Sequence, residues 1–187
     1  MFLSDIDIHE AIKKGDITLS PFNVRRLQPA SYDILLGNKF VENDASRTHF
    51  VDPARKVYAK TIEKIVRDDH PFVLHPGISV LGLSKEFFGS DHFLIQVGGK
   101  SSLARIGLMI HNTAGIINPG HFLHITFEIT NQSNIPIILR PGMEIAQITF
   151  SKLTSPPRRN YQTTGRFAKN NWKHFVAAKK KKTKKKK

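Results

Sequence analysis

Residues 98–128 hold a set of groups with the chemistry of a reaction centre. Gly98-Gly99-Lys100-Ser101-Ser102 leads to Arg105, Thr113-Ala114-Gly115 and Asn118-Pro119-Gly120 follow, and Glu128 ends the segment inside Ile125-Thr126-Phe127-Glu128. Polar groups set among apolar strand residues are costly unless they pair or bind something. Glu128 is the only acid between Asp91 and Glu144. A lone carboxylate in apolar surroundings can accept a proton and return it, serving as base and then as acid. Desolvation there raises its pKa unless cations or donors offset it. The plain alternative is an outward-facing strand glutamate. Glycines allow close backbone approach, and exposed amides beside Lys100 suit phosphate oxygens. The string is not a P-loop, because the Gly-x4-Gly-Lys spacing is absent, and an ordinary surface turn is the competing reading. His111, His121 and His124 raise the question of a metal. Residues 121 and 124 are three apart in an expected strand, which points them to opposite faces, so no protein-bound metal is expected.

These groups must be positioned by a framework that is mostly β. Short apolar runs (72–74, 78–83, 93–97, 108–110, 125–129, 135–139 and 145–150) alternate with turn signals such as His75-Pro76-Gly77, Asn118-Pro119-Gly120 and Arg140-Pro141-Gly142. Strands about ten residues apart predict a sandwich, jelly roll or barrel. Ser4 reads as the N-cap of a helix with Asp5 and Asp7 in its first turn, Ile8, Ala11 and Ile12 on one face, and Gly15 as its stop. A second short polar stretch, 20–23, precedes a strand predicted to end at the Gly37 turn. Residues 43–70 read as a loop-rich excursion with one short strand.

Composition limits the function classes. A chain of 187 residues, 40% hydrophobic with 13 Phe, is one domain with a decorated end. No apolar run approaches a membrane span and no signal-peptide pattern opens the chain, so a cytoplasmic protein with no membrane partner is expected. The absence of cysteine excludes disulfides and thiolate metal sites. The net charge of +14 is uneven: residues 1–150 carry 15 basic and 15 acidic residues, whereas 151–187 carry 14 basic residues and no acid. Eight lysines fall in 179–187, a self-repelling run expected to be disordered. It is either a solvated appendage or a nonspecific anchor for nucleic acid through counterion release.

Gln28-Pro29-Ala30-Ser31-Tyr32-Asp33 with Leu36-Gly37, Leu74-His75-Pro76-Gly77, the Lys100–Gly107 run, Thr113-Ala114-Gly115, Phe127-Glu128 and Leu139-Arg140-Pro141-Gly142-Met143 together resemble the dCTP deaminases of the dUTPase-like superfamily, including bifunctional dCTP deaminase/dUTPases. The resemblance covers residues 1–155 in order. It implies a mainly β, distorted barrel or jelly-roll subunit (the dUTPase-like β-clip) with short N-terminal helices. It also implies a homotrimer with active sites between subunits, and Mg²⁺ bound through the nucleoside triphosphate. The chain then divides into a domain at 1–155, a C-terminal arm or lid at 156–178 and a poly-Lys tail at 179–187.

The resemblance also distributes roles. Glu128 becomes the proton shuttle of a deamination that uses no zinc, consistent with a chain lacking the Cys/His zinc set. Ser101 and the backbone around Ala114 hold the attacking water, and Arg105 polarises the base or positions Glu128. Lys100 and Ser102 contact phosphate. Thr113 and Gly115 pass the main chain along the cytosine edge. Asn118 and His121 face the sugar, and Gln147 also belongs to the substrate-binding set. Tyr161, Arg166 and Asn170 are the counterparts of a closing lid.

Three departures carry weight. Asn118 stands where the family has an Asp that activates the phosphate-attacking water in dUTPases; an amide can bond a sugar hydroxyl but cannot act as a base. His121 replaces an aromatic that packs on deoxyribose. Leu123 occupies a usual glycine position. The expected activity is therefore deamination of dCTP to dUTP and ammonia. The alternatives are a bifunctional deaminase/dUTPase or dUTP diphosphatase, and a catalytically inactive nucleotide-binding trimer.

Overall fold

A computed structural model describes residues 1–111, 113–165 and 168. Helix α1 spans Asp5–Lys14; Ser4 caps it by accepting from the Asp7 amide, and Gly15 ends it in the left-handed region. Ile8 and Ala11 are buried from its inner face, as its spacing predicts.

The strands follow in chain order as β1 (Thr18–Ser20), β2 (Leu27–Gln28), β3 (Ser31–Asn43), β4 (Thr61–Ile65), β5 (Phe72–Leu74), β6 (Ser79–Gly89) and β7 (Phe93–Gly99). After the short helix α2 (Ser101–Ala104) come β8 (Leu108–Met109), β9 (Ile116–Ile117), β10 (Leu123–Asn131), β11 (Ile137–Leu139) and β12 (Glu144–Lys152), and then the helical turn α3 (Tyr161–Thr164). Ten strands form one sheet with the path β8-β10-β6-β3-β12-β7-β9, while β1 joins β6 and both β2 and β4 join β3. Strands β5 and β11 form a separate pair. The pairings are antiparallel and the sheet curls into a half-barrel, as the β-rich texture predicts. No described helix is long and apolar enough to cross a membrane.

Alternation sets the core. In β10, Leu123, Ile125, Phe127 and Ile129 are buried, while Thr126, Glu128 and Thr130 face the other way and are half-buried. Phe40 and Phe72 stack at 4.8 Å, and Phe88, Phe127 and Phe150 are fully enclosed. Each such ring contributes on the order of 1.5–3 kcal/mol by leaving water.

The expected end of a strand at Gly37 is corrected: β3 runs on to Asn43. The pairing with β6 shifts register between Leu36 and Phe40, so the chain bends there without stopping. A Cβ at residue 37 would sit 2.8 Å from the Leu83 carbonyl, so glycine serves a close strand approach and not a turn.

Candidate active site

Strand β10 and the turn before it gather the first group of predicted residues. Glu128 lies opposite Leu81 in the β6–β10 register and half-emerges into a cleft of ≈ 290 Å³. Ala114, Asn118, His121 and Tyr161 line the same cleft, so five predicted residues come together around one cavity. Asn118 is exposed and His121 is 9% exposed. His121 belongs to the turn ahead of β10, whereas His124 lies in the strand and lines a different cleft. They face apart because one precedes the strand, not because both alternate within it.

The C-terminal segment closes one side. Tyr161 stacks on His121 with ring centroids 4.1 Å apart, and its amide donates to the Pro119 carbonyl at 3.2 Å. Asn160 caps α3 by accepting from the Gln162 amide at 2.8 Å, and its side-chain amide donates to Asp91 at 3.1 Å. The fit needs Gly120, where φ is +83° and a Cβ would stand 1.9 Å from Asn160 Oδ1. Arg166 and Asn170, and the lysine run at 179–187, lie outside the described residues.

Thr113 is exposed beside this cleft, and Gly115 lets the chain lie flat on β7, its carbonyl accepting from the Val97 amide at 2.8 Å. A Cβ there would be 2.9 Å from the Val97 carbonyl and 3.1 Å from the His111 ring.

A second group of the predicted residues lies at the end of β7. A cleft of ≈ 670 Å³ is lined by Asp33, Lys100, Ser101, Ser102 and Gln147, among others, and shares no lining residue with the Glu128 cleft. Ser101, Ser102 and Arg105 are exposed, and their side chains have no hydrogen bond or ion pair among the described residues. Gln147 is held: it donates to the Gly99 carbonyl and accepts from the Ser31 hydroxyl, both at 3.2 Å. Gly98 and Gly99 are the last residues of β7, paired with Gln147 and Ala146. A Cβ on either would meet nothing closer than 3.8 Å. Their bareness leaves open surface for an approaching ligand or chain and relieves no clash within this one.

Lys100 is the most constrained cation here. Its ammonium lies 2.7 Å from Asp33 and 2.8 Å from Glu144. Burial works to lower its pKa, but the hydrogen bonds it donates to Asp33 and Glu144 outweigh it and hold the pKa above the ordinary lysine value. The stabilisation from this pairing is complete below the ordinary lysine pKa of ~10.4 and is lost only as pH rises through the elevated value. Lys100 therefore stays charged throughout the neutral range.

Sequence reasoning named neither of Lys100's partners as functional, and it missed the network behind them. Arg26 and Glu86, both buried, form an ion pair. Arg26 also donates to the Asp33 carbonyl at 3.3 Å, and Glu86 accepts from the Leu35 amide at 3.0 Å. Within the Glu128 cleft it missed Thr126, and it weighed His111 only as a metal ligand. The available signal was weak: Asp33 closes the Gln28–Asp33 block, and Thr126 is two residues from Glu128 on the same strand face.

Comparison with known proteins identifies the family of the chain. The family model described as dCTP deaminase-like matches residues 2–153. A dCTP deaminase, dUMP-forming, from Corynebacterium jeikeium is 44% identical over 163 residues, covering 86% of each chain. The protein of that name from Mycobacterium ulcerans is 43% identical over 167 residues, 88% of this chain and 87% of its own. The crystal structure of 2'-deoxycytidine 5'-triphosphate deaminase from Agrobacterium tumefaciens matches with a TM-score of 0.61 at 20% identity, a likeness of fold alone. It covers 81% of this chain and 48% of that one, so this chain spans about half the length of that protein.

Proposed function

This chain belongs to the dCTP deaminase-like family, and from that membership we propose that it is a hydrolase that replaces the amino group of dCTP with oxygen. The observation that carries the reading is the placement of Glu128, half-buried in a cleft that also presents Ala114, Asn118, His121 and Tyr161. A nucleoside fits such a cleft: an acid for the ring, an amide for a sugar hydroxyl, and a stacked His–Tyr pair closing the side.

In the proposed reaction, Glu128 takes a proton from water as the water oxygen bonds to the amino-bearing carbon, and passes that proton to the neighbouring ring nitrogen. The tetrahedral carbon then holds both hydroxyl and amino groups. Glu128 removes the hydroxyl proton and hands it to the amino nitrogen, the carbon–nitrogen bond breaks, and ammonia leaves. Arg105 stabilises charge developing on the ring, and Ser101 holds the water.

The two clefts share no lining residue, and Ser101, Ser102 and Arg105 face outward with no partner among the described residues. These facts support a site assembled between copies of the chain, with Glu128 from one and the serine turn from its neighbour in a homotrimer. Ser102 then meets the triphosphate, and Lys100 adds positive potential from its fixed position. Mg²⁺ suits this site as an ion carried by phosphate oxygens and water, since Asp33 and Glu144 are both engaged by Lys100. Bound there, it neutralises phosphate charge. The arm at 156–178 serves as the lid, supported by the seating of Tyr161 on His121.

Asn118 argues for dUTP as the end product, because its amide cannot activate a second water. A second reading, continued hydrolysis to dUMP, is favoured by relatives 44% and 43% identical that are named dUMP-forming. Incubation with dCTP and Mg²⁺ distinguishes them: ammonia with accumulating dUTP supports the first, and equal ammonia and pyrophosphate support the second. Neither product would end the enzymatic proposal. Under the first reading, Asn118→Asp restores a base and is expected to raise pyrophosphate release at least tenfold with ammonia release within a few-fold of the parent.

A further inference from the structure

Lys100 carries one positive charge and meets two carboxylates. Asp33 and Glu144 lie 2.7 and 2.8 Å from its ammonium, so one cation faces two anions and the trio bears an excess negative charge. Lys100 lines the ≈ 670 Å³ cleft together with Ser101 and Ser102, where the proposed reaction places the triphosphate. A net negative cluster works against such a ligand. The two carboxylates are not equivalent. The Asp33 side chain is only 5% exposed, also accepts from Gln28 at 3.0 Å, and belongs to a residue whose carbonyl Arg26 holds. The Glu144 side chain is 46% exposed, and Lys100 is its one partner among the described residues. A bulge brings it there. The register of β12 on β3 slips between Glu144 and Ala146, so Glu144 comes opposite Leu35 and takes the face that carries Asp33 and Gln147, while Ile145 and Ala146 are buried.

We propose that Glu144 is a positioning residue for the phosphate chain, acting through Lys100: a displaceable counter-anion that neutralises the ammonium in the empty cleft, yields it to an arriving polyphosphate and reclaims it as the product leaves. The inference rests on the reading of this cleft as the triphosphate end of a deaminase site, and deepens it. Asp33 is the anchor and stays, so Lys100 keeps its place while its outer partner is exchanged. The exchange costs little, because a half-exposed carboxylate gives up a weak contact and returns to water. It also serves turnover. Deamination alters the ring and leaves the phosphates untouched, so whatever holds the substrate by its phosphates holds the product equally, and a returning carboxylate limits that hold.

The test looks for a gain in affinity, which damage to the fold does not produce. Glu144→Gln and Glu144→Ala both remove the charge from the full-length chain. Each is expected to bind inorganic tripolyphosphate with Mg²⁺ about three- to tenfold more tightly in calorimetric titration at low salt. The gain should nearly vanish in about 1 M salt, where charges are screened beyond ~3 Å. The KM for dCTP should fall by the same factor without a rise in kcat, inhibition by phosphate-free deoxycytidine should not change, and Glu144→Asp should stay within about twofold of the parent. Equal or weaker tripolyphosphate binding in both charge-removing variants would overturn the inference. So would a gain that persisted undiminished in high salt or extended equally to deoxycytidine. Absence of ammonia from the parent would refute the deaminase reading instead, and the tripolyphosphate titration would still decide the role of Glu144.

Discussion

Replacing Glu128 with glutamine is expected to lower ammonia release from dCTP by about a thousandfold, within the 10²–10⁴ that a positioned acid–base group supplies. Glutamine keeps the length and the hydrogen-bonding shape of the side chain but cannot take a proton from water. Its half-buried position costs the fold little, so Tm and nucleotide binding should stay near the parent's. Glu128→Asp retains the charge but withdraws it by one methylene, and a shift of that size still removes on the order of a hundredfold. Full turnover in Glu128→Gln would end the shuttle assignment. The same variant tests the site's division between subunits. Glu128→Gln and Arg105→Ala, each inactive alone, should regain activity when mixed and reassembled. Random exchange leaves about a quarter of shared sites with both native residues. If the mixture remains inactive, each chain holds a complete site by itself.

What the sequence made legible depended on the range of the interaction. The strands around β6, β7, β10 and β12 follow from alternation and from turns at 75–77, 118–120 and 140–142, all of which are local properties. Glu128 stood out for the same reason, as an acid in an apolar strand. The continuation of β3 past Gly37 was not legible, because a glycine that ends a strand and one that lets two strands approach look alike without the partner. Lys100 drew notice as a phosphate ligand, yet Asp33 and Glu144 bind its charge from distant parts of the chain. The Arg26–Glu86 pair joins residues 60 apart with no local signature at all.

That buried pair should be the least tolerant position in the protein. Glu86→Gln leaves the Arg26 guanidinium enclosed with its charge uncompensated, and breaking one side of such a pair costs about 3–5 kcal/mol. For a chain of this size the expected fall in Tm is about 6–20 °C. Arg26 retains its contact over the Tyr32 ring, 4.9 Å from the guanidinium carbon, but a ring face does not replace a carboxylate. Burial pushes the Tyr32 phenol pKa up, so the ring stays neutral and supplies no compensating charge. The loss should extend to the site. Arg26 holds the Asp33 carbonyl and Glu86 the Leu35 amide, so the pair grips β3 at the residue that anchors Lys100 and again two residues beyond it. Below its lowered Tm, Glu86→Gln should therefore raise KM for dCTP more than it lowers kcat, as expected when the triphosphate side of the site loosens and Glu128 is untouched. The double variant Arg26→Met with Glu86→Leu removes both charges, and should recover most of the stability while leaving Asp33 without its clamp. Recovery of Tm with a persistently raised KM would separate the two roles. A native KM in the double variant would reduce the pair to a structural ion pair with no hold on the site.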